Sequence, residues 1–393
     1  MRTLITAASL WDGPIRIANP VLEIEDGRIA ALYSQSQRPI PPGVPVRHFP
    51  GATVAPAFFD IHIHGAAGHD VMEATPEALA AIGQFLASRG TARYLATTVT
   101  APLDSTLRSL SGLAKLINQP QLPPASAQPP MALPIGIHLE GPFISHQKRG
   151  VHPPAHLLAP SIPTFDRLFE AAEGHIRLLT LAPELPQAAE LTAHATARGV
   201  RVSIGHSNAT AAETHPVLAA GAASATHTFN AMRPLDHREP GILGLVLTTD
   251  SLYAELICDG IHVAPELVKL WFRAKPNHRA ILVTDAMSAT GMPEGQYQLG
   301  PLTVQVANGR ATANGVLAGS VLTLDRALEN FLAYTSATLP QALPLLTTNP
   351  HNLIHHPTPT EVPHLTPNSP ANLVVLTPEG QLQTTLIAGQ LAT

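Results

Sequence analysis

Several residue types and patterns are scarce in this sequence, and each scarcity argues against a class of protein. Aromatic residues make up 4% of the 393 residues, and the formal net charge is −5 without any block of basic residues. Surfaces that bind nucleic acids need a basic patch and rings on which bases stack, so we expect no nucleic-acid partner. No apolar run reaches the roughly 18 residues of a membrane-spanning helix, so we expect no membrane span. The N-terminal apolar run ends at Trp11, Asp12 and Gly13, too early for a secretory signal peptide.

Cysteine is the scarcest informative residue. The chain contains only Cys258, so no intrachain disulfide can form. This usage fits a reducing compartment or a protein that is indifferent to redox conditions, and we expect a cytoplasmic protein by default. Structural zinc sites usually contain thiolates, so a structural zinc cluster is also disfavoured. Hydrophobic residues make up 45% of the chain, which is enough for one large domain or two smaller ones.

Histidine, by contrast, is abundant, with 20 residues against 23 lysines and arginines combined. Several of these histidines lie in a proline- and threonine-rich stretch near the C-terminus, where we expect solvated loop residues without a function. They are His351, His355, His356 and His364.

The two ends of the chain have the texture of short strands and turns. Near the N-terminus, the sequence Glu25-Asp26-Gly27 separates two apolar runs, which predicts a hairpin. The region 371–386 near the C-terminus repeats this pattern. We therefore predict a small β-sandwich domain formed by residues 1–54 and 357–393. Residues 55–356 are predicted to form the catalytic domain.

The middle of the chain alternates apolar runs with helical patterns. The runs cover residues 57–63, 94–99, 135–139, 176–181, 200–204, 223–226, 252–258 and 280–284. Helix signals between them include Pro76 at a first helical position, Asn208 as the N-cap of a helix that ends near Gly221, and a helix over residues 265–274. The alternation predicts an α/β fold, a (β/α)8 TIM-type barrel, with a doubly wound open sheet as the alternative. The barrel is favoured because candidate chemistry follows several different strands, and all strand ends of a barrel meet on one face.

Three of these strand ends carry residues that bind zinc-like metals. Glu140 ends its run because Gly141 and Pro142 cannot continue a strand. His206 and His227 follow two successive strands, about one βα unit apart. Together the three side chains offer N and O ligands and leave a coordination position open, which is typical of a catalytic rather than a structural zinc site.

Two further strand ends carry compatible residues. His62 and His64 lie at positions i and i+2 of a strand, so their imidazoles share a face and can hold one metal. Asp60, just before them, is better suited to orienting the strand or a ligand than to binding metal. Asp285 follows the last strand. A carboxylate there can take a proton from activated water and return it to a leaving group, whereas the alternative role is an N-cap for the next helix.

Eight short motifs occur in an order typical of one enzyme family. They cover residues 56–65, 136–143, 203–210, 225–232, 237–241, 259–262, 284–286 and 317–320. With these motifs the chain resembles the N-acetylglucosamine-6-phosphate deacetylase family of the amidohydrolase superfamily. The resemblance covers most of residues 50–330 and is weakest at the two ends of the chain.

The resemblance implies a metal centre. Glu140, His206 and His227 match the main metal ligands of the family, while His62 and His64 match a second-metal pair that some members keep and others replace. One or two divalent ions are therefore expected, with zinc as the first choice and iron, manganese or cobalt as alternatives. A carboxylated lysine bridges the metals in many superfamily members, but none of the four lysines of this chain follows a strand.

The resemblance also implies the reaction and the substrate contacts. Asp285 matches the general base and acid, and His152 is expected to assist at the carbonyl oxygen. Substrate contacts are expected from Val151, His152, Asn230, Ala231, Arg238, Asp259, Gly260, Ile261, His262, Leu317, Ala318 and Gly319. In the family the arginine equivalent to Arg238 reaches the phosphate of the neighbouring subunit's substrate, which implies a homodimer. Asp236, close to Arg238, departs from the commoner version of this loop and bears on phosphate preference.

The expected activity is hydrolysis of N-acetyl-D-glucosamine 6-phosphate to D-glucosamine 6-phosphate and acetate. One alternative is a deacetylase for N-acetylgalactosamine 6-phosphate or another amidohydrolase, such as a cyclic-amide hydrolase. Arg238 and His262 argue against the cyclic amide, because that substrate needs no phosphate clamp. A second alternative is an inactive sugar-phosphate-binding protein, which would have to lack a metal ligand or Asp285.

Overall fold

The N-terminal residues form strands of a mixed sheet. The structure, a computed structural model, describes residues 2–119, 129–354 and 364–392. The first strands are β1 (Arg2–Asp12), β2 (Ile15–Ala18), β3 (Pro20–Glu25), β4 (Arg28–Ser34) and β5 (Val46–Pro56). Asp26 and Gly27 have φ angles of 48° and 80°, and they form the predicted turn between β3 and β4. β1 pairs antiparallel with β3 and parallel with β5.

Parallel strands in the middle of the chain form the predicted barrel. They are β6 (Phe58–Ile63), β9 (Thr91–Thr98), β10 (Leu133–Glu140), β11 (Ile176–Leu181), β12 (Arg201–Ile204), β13 (Ser224–Ala225), β14 (Tyr253–Ile257) and β15 (Ala280–Val283). Between β6 and β9, the strands β7 (Gly65–Ala66) and β8 (His69–Asp70) form a separate small hairpin. Within the described ranges, the order in this eight-stranded sheet follows the chain from β6 through β9 to β15. A doubly wound sheet would reverse its strand order at a switch point, so the barrel prediction is confirmed.

The barrel closes where its first strand meets the segment after its last. The backbone N–H of Asp285 donates to the carbonyl of His62 (2.9 Å), and the N–H of His64 donates to the carbonyl of Ala286 (2.8 Å). The buried carboxylate of Asp60 accepts the hydroxyl hydrogen of Thr284 at 2.5 Å and so ties β6 to the residue that follows β15. Asp60 therefore orients the strand, as the sequence suggests.

Helices connect the barrel strands. They are α1 (Pro76–Ser88), α2 (Leu103–Ile117), α3 (Ile162–Ala171), α4 (Ala188–Ala197), α5 (Ala211–Ala219), α6 (Gly241–Thr248), α7 (Pro265–Ala274), α8 (Leu324–Thr335), α9 (Leu339–Ala342) and α10 (Thr348–Ile354). α7 has the predicted bounds, and α1 begins at Pro76 as predicted. None of the helices in the described ranges combines the length and the apolar character that crossing a bilayer requires.

Two predictions about local structure are wrong. The N-cap of α5 is Thr210 rather than Asn208, because Thr210 and Glu213 form a reciprocal capping box that satisfies two backbone N–H groups. His351 is not a solvated loop residue, because it lies buried in α10. His364 is half-buried, with Nδ1 2.6 Å from a carboxylate oxygen of Asp12. The predictions for His355 and His356 lie outside the described residues.

An antiparallel sheet follows β15 and was not predicted. It contains β16 (Gly295–Leu299), β17 (Leu302–Ala307), β18 (Arg310–Ala313) and β19 (Val316–Leu317). Apolar side chains of these strands pack with Val99 and Met287, near the C-terminal ends of the barrel strands, in a core of their own. The insertion therefore covers the face of the barrel on which the predicted site lies.

The C-terminal strands join the sheet of the N-terminal residues. They are β20 (Leu373–Leu376), β21 (Leu382–Ile387) and β22 (Gln390–Ala392), and β20 pairs antiparallel with β5. Residues from both ends of the chain, among them Ile5, Leu22, Val54 and Leu373, share a core that is separate from the barrel core. Both termini thus build one sheet domain beside the barrel.

Candidate metal centre and active site

Glu140 is the centre of a cluster of imidazoles at the C-terminal end of the barrel strands. It is the last residue of β10, and its Oε1 lies 3.1 Å from Nε2 of His227 and 3.2 Å from Nε2 of His206. Gly141 turns the chain directly afterwards with a φ of 78°, and a Cβ on this residue would lie 2.2 Å from Oγ1 of Thr100. Only glycine fits this turn, so the strand ends with the carboxylate facing the cluster.

Further side chains, from β6 and from segments that follow barrel strands, approach the same Glu140 carboxylate. Nε2 of His62 lies 3.4 Å from Oε1 of Glu140, and Nε2 of His64 lies 3.3 Å from Oε2. Oδ1 of Asp285 lies 3.0 Å from Nε2 of His64 and 3.5 Å from Nε2 of His62. Nε2 of His152 lies 3.6 Å from Oε2 of Glu140. The residues predicted to bind metal and to move protons therefore form one cluster, and each is nearly or fully buried.

The backbone at several of these positions adopts the left-handed conformation. The φ angles are 44° for His206, 26° for His227 and 52° for Asp285. Residues with a Cβ reach this region at a cost of about 1–2 kcal/mol each. The surrounding structure must hold these conformations, which are expected where side chains have to point at a ligand.

Hydrogen bonds behind the imidazoles determine which ring nitrogen carries the hydrogen. Nδ1–H of His64 donates to the carbonyl of Thr97 at 3.0 Å, and Nδ1–H of His206 donates to the carbonyl of Lys148 at 2.9 Å. A carbonyl can only accept, so Nδ1 carries the hydrogen and a neutral ring presents a lone pair on Nε2 to Glu140 and its neighbours. This is the tautomer that a metal ligand needs.

The donor set fits a divalent cation. Nε2 of His206 and Nε2 of His227 are 3.1 Å apart, a spacing at which two lone pairs repel unless a cation or a proton lies between them. Nε2 of His62 is buried and makes no hydrogen bond to any described residue. Among the described residues, three groups of side chains have ligand atoms within 4.8 Å of one another: His62, His227 and Asp285; His62, His64 and Glu140; and Glu140, His152 and His206. Nitrogen and carboxylate oxygen donors of this kind suit zinc and similar metals.

The charges of the cluster also favour a cation. Burial alone would raise the pKa of Glu140, but the imidazoles around it, His62 first, hold that pKa well below its usual range. Burial would also raise the pKa of Asp285, but the hydrogen bond from His64 lowers it. Burial would lower the pKa of His64, yet Asp285 and Glu140 raise it to about 9, so a proton on Nε2 of His64 competes with a cation for these two carboxylates. Both carboxylates are therefore anionic at neutral pH and attract positive charge.

His152 differs from the other imidazoles. The backbone N–H of Thr100 donates to Nδ1 of His152 at 3.3 Å, so Nδ1 is the acceptor and Nε2 carries the hydrogen. Burial lowers the pKa of His152 to about 4, so the ring is neutral at pH 7. A neutral ring with Nε2–H facing the cluster can donate to a carbonyl oxygen, which suits the role predicted for His152 better than that of a ligand.

A cavity of about 280 Å³ opens beside the cluster. Residues predicted to contact the substrate or the metal line it, namely His64, Glu140, Val151, His152, His206, His227, Asn230, Ala231, His262, Asp285, Leu317 and Gly319. Other lining residues were not predicted, namely Val99, Gln147, Lys148, Gly150, Leu299 and Val316. This volume suits a small molecule, and the lining combines apolar walls with several polar groups.

Some predicted substrate contacts lie behind the lining of this cavity. Oδ1 of Asp259 accepts the backbone N–H groups of Ile261 and His262, both at 2.8 Å, and Oδ2 accepts Nδ1–H of His262 at 2.7 Å. Burial would lower the pKa of His262, but Asp259 raises it. Asp259 thus directs a readily charged imidazole into the cavity. Gly260 has a φ of 74° and makes the turn, while Ala318 is buried in the core of the insertion.

Arg238 lies on the surface of the chain, outside the residues that line the cavity. The Asp236 carboxylate accepts the backbone N–H groups of Arg238 and Glu239 at 2.8 and 3.2 Å. Asp236 therefore shapes the loop through the main chain. Leu235 on the same loop is 53% exposed.

Sequence reasoning missed several residues that support the site. Glu255 is fully buried in β14, and its Oε2 lies 3.2 Å from Nδ1 of His62. The signal was a single acid inside an apolar strand, because such a charge is costly without a partner. Lys148 contributes its carbonyl to His206, and no residue-type pattern reveals a backbone contact of this kind.

Comparisons with known proteins agree with this geometry. No protein-family model matches the chain. The chain is 36% identical over 372 residues to the N-acetylgalactosamine-6-phosphate deacetylase of Escherichia coli O157:H7, which covers 94% of each chain. It is 35% identical over 369 residues to the N-acetylglucosamine-6-phosphate deacetylase of Lysinibacillus sphaericus, covering 94% of this chain and 92% of that one. A solved structure of a mutant of the Mycobacterium smegmatis N-acetyl-D-glucosamine-6-phosphate deacetylase, in complex with N-acetyl-D-glucosamine-6-phosphate, superposes with a TM-score of 0.89. It has 33% sequence identity and covers 100% of this chain and 99% of that chain.

Proposed function

Because the chain belongs to the N-acetylglucosamine-6-phosphate deacetylase family, we propose that it hydrolyses N-acetyl-D-glucosamine 6-phosphate to D-glucosamine 6-phosphate and acetate. The observation that carries this proposal is the position of the Asp285 carboxylate, 3.0 Å from Nε2 of His64 beside Glu140 and at the wall of the cavity. That arrangement places a proton acceptor next to the donor set for a cation. It is the combination that metal-assisted amide hydrolysis requires.

We propose a divalent metal ion, with zinc as the first choice and iron, manganese or cobalt as alternatives. Glu140, His206 and His227 would hold one ion, while His62 and His64 would complete a second position with Glu140 as the bridge. When bound, the ion supplies Lewis-acid chemistry, making water more acidic and polarising the acetamide carbonyl.

The protein's own side chains would move the protons. Asp285 is anionic at neutral pH and would accept a proton from the attacking water. It would then deliver this proton to the amine nitrogen as the carbon–nitrogen bond breaks, so that acetate and the free amine leave. Nε2–H of His152 would donate to the carbonyl oxygen as negative charge develops there.

The phosphate group would be held by His262 and by Arg238 of the partner subunit. His262 lines the cavity and is kept readily charged by Asp259. Arg238 is exposed outside its own cavity, and the exposed Leu235 on the same loop offers an apolar contact to a neighbour. Both observations support a homodimer in which the sites are shared. The remaining contacts, Val151, Asn230, Ala231, Leu317 and Gly319, would form the walls around the sugar.

A second candidate substrate is the C4 epimer, N-acetyl-D-galactosamine 6-phosphate. It is favoured by the similarity to the Escherichia coli enzyme that bears this sugar in its name, at 36% identity. Acetate release should be measured from both sugar phosphates and from both unphosphorylated sugars, with metal content assayed in parallel. Faster turnover of N-acetylglucosamine 6-phosphate supports the proposal, and faster turnover of the epimer reverses the substrate order. Equal turnover with and without phosphate would contradict the proposed phosphate contacts. No turnover of any of these sugars by a metal-loaded protein would refute the proposed deacetylase activity.

We also propose the domain division into residues 1–54 with 357–393 and residues 55–356. The core shared by Ile5 and Leu373 supports a separate domain built from both ends. Hydrogen bonds from Asn368 and Ala371 to the β3–β4 hairpin support a sheet that folds over this core as a sandwich. The boundary near residue 357 lies outside the described residues, and the cytoplasmic location stays a prediction.

A further inference from the structure

Glu255 is a buried acid that the proposed mechanism does not use. It lies in the middle of β14, where every residue is buried, and its neighbours Ala254 and Leu256 are apolar. The side chain of Glu255 is fully inaccessible to solvent. A carboxylate in such a place is stable only when it is paired, so the identity of its partner indicates its role.

The partner of Glu255 is the outer nitrogen of a candidate metal ligand. Oε2 of Glu255 lies 3.2 Å from Nδ1 of His62, and it also accepts the backbone N–H of His227 at 3.4 Å. Among the ion pairs of the described residues, Glu255 takes part only in the one with His62. The other ring nitrogen of His62, Nε2, points at Oε1 of Glu140 (3.4 Å) and Oδ1 of Asp285 (3.5 Å). The imidazole therefore lies between Glu255 and the cation site.

Among the described residues, the outer ring nitrogens of the other imidazoles in the cluster have no carboxylate partner. His64 and His206 each donate Nδ1–H to a neutral backbone carbonyl. Nδ1 of His227 is buried and makes no hydrogen bond to the part of the chain that the structure describes. His62 is thus set apart by a carboxylate partner. A carboxylate behind a ligating imidazole fixes its tautomer and makes the facing nitrogen a stronger donor.

We propose that Glu255 is the positioning residue that makes the second cation position, formed by His62, His64 and Glu140, bind a metal ion. It holds His62 with the Nε2 lone pair toward the cluster, and it adds a negative charge behind that ring. The inference rests on the proposed metal-dependent function and deepens it, because it assigns a residue that sets the number of ions bound. A purely structural role, in which Glu255 only neutralises a buried imidazolium, would leave the metal stoichiometry unchanged.

The test compares zinc binding by the wild type, Glu255→Gln and Glu184→Gln. Glutamine keeps the shape of Glu255 and an acceptor oxygen but removes the charge. Glu184 is the matched control, since its carboxylate accepts the hydroxyl of Ser207 and the backbone N–H of Asn208 at the end of a neighbouring strand, rather than a ring nitrogen. Metal-free full-length proteins would be titrated with Zn²⁺ by calorimetry, and bound zinc would be counted by mass spectrometry. The wild type and Glu184→Gln should bind two ions per chain, whereas Glu255→Gln should keep one tight site and bind the second ion about 10–100-fold more weakly.

Each outcome decides a specific point. Two ions bound by Glu255→Gln with unchanged affinity would overturn the role of Glu255. One ion in the wild type would also overturn it but would leave the proposed hydrolase intact. No ion in the wild type would overturn the proposed function as well.

A second comparison covers the case in which Glu255→Gln folds poorly. In metal-free protein, His62→Gln removes the ion-pair partner of Glu255 and should lower Tm more than the double variant His62→Gln/Glu255→Gln. Equal Tm values for the single and double variants would show that the two side chains are not coupled, and would overturn the inference.

Discussion

Replacing Gly141 by alanine should damage both the fold and the site, through a contact that the structure defines. The φ of 78° costs a residue with a Cβ about 1–2 kcal/mol. The new Cβ would lie 2.2 Å from Oγ1 of Thr100, well inside contact distance, and forcing such an overlap apart typically costs about 1–3 kcal/mol. Thr100 cannot rotate freely, because its hydroxyl lies 2.8 Å from Nδ1 of His152. We expect a loss of about 2–5 kcal/mol in unfolding free energy and, because Glu140 and His152 both shift, a fall in kcat of about 100-fold.

The matched control is Gly199→Ala. Gly199 has a φ of 80°, but a Cβ added there would meet nothing within 4 Å, so the change carries the backbone strain without the overlap. It should cost about 1–2 kcal/mol and leave kcat unchanged. The assays are calorimetric unfolding of the zinc-loaded proteins and acetate release at saturating substrate. Adding Thr100→Ala to Gly141→Ala should recover part of the stability but not kcat, because His152 loses its hydroxyl partner. If Gly141→Ala and Gly199→Ala have the same Tm and the same kcat, the reasoning from this contact is refuted.

Three further changes test separate parts of the site. Asp285→Asn should lower kcat by about 10²–10⁴ with zinc retained, since asparagine tolerates the φ of 52° but cannot accept the proton; full activity would exclude Asp285 as the base. His262→Gln should raise KM for the sugar phosphate and leave any turnover of the unphosphorylated sugar unchanged, and equal effects on both would contradict a phosphate contact. Burial raises the pKa of Asp60 to about 7, above its unfolded value of about 3.9, so the folded state holds this proton more tightly and stability falls as pH rises from about 4 to 7. In Asp60→Asn, the unfolding free energy derived from Tm should fall by up to about 4 kcal/mol less than in the wild type over this pH range. If the two proteins lose stability in parallel as pH rises, the raised pKa of Asp60 is refuted.

The barrel could be predicted because apolar runs of strand length alternate with helix signals through the middle of the chain. The run that ends at Glu140, before Gly141 and Pro142, is the clearest case, and the sheet order confirms the barrel prediction. The gathering of polar strand ends on one face followed from that topology alone. The capping box of Thr210 and Glu213 was also visible in the sequence, and it should have outweighed the isolated Asn208.

Other features depend on the path of the chain and could not be read from residue types. The insertion that brings Leu299, Val316 and Leu317 to the cavity has short strands separated by turns, which resemble a loop when the surrounding pattern alternates strand and helix. The carbonyl of Lys148 behind His206 is a backbone group that every residue possesses. The prediction for His351 failed because a proline- and threonine-rich stretch is typical of a loop, whereas proline also fits the first turn of a helix such as α10.

The floor and the cover of the cavity are built from different parts of the fold. The floor includes the barrel seam, where the Asp285 N–H bonds the His62 carbonyl and the Ser320 N–H donates to the Asp285 carbonyl at 2.7 Å. The free energy that closes the barrel therefore also holds Asp285 in its strained conformation. The cover contains Leu299 and Val316 from the insertion, whose core is separate from that of the barrel. Sequence change in the insertion can thus alter the cover of the cavity without disturbing the candidate metal ligands.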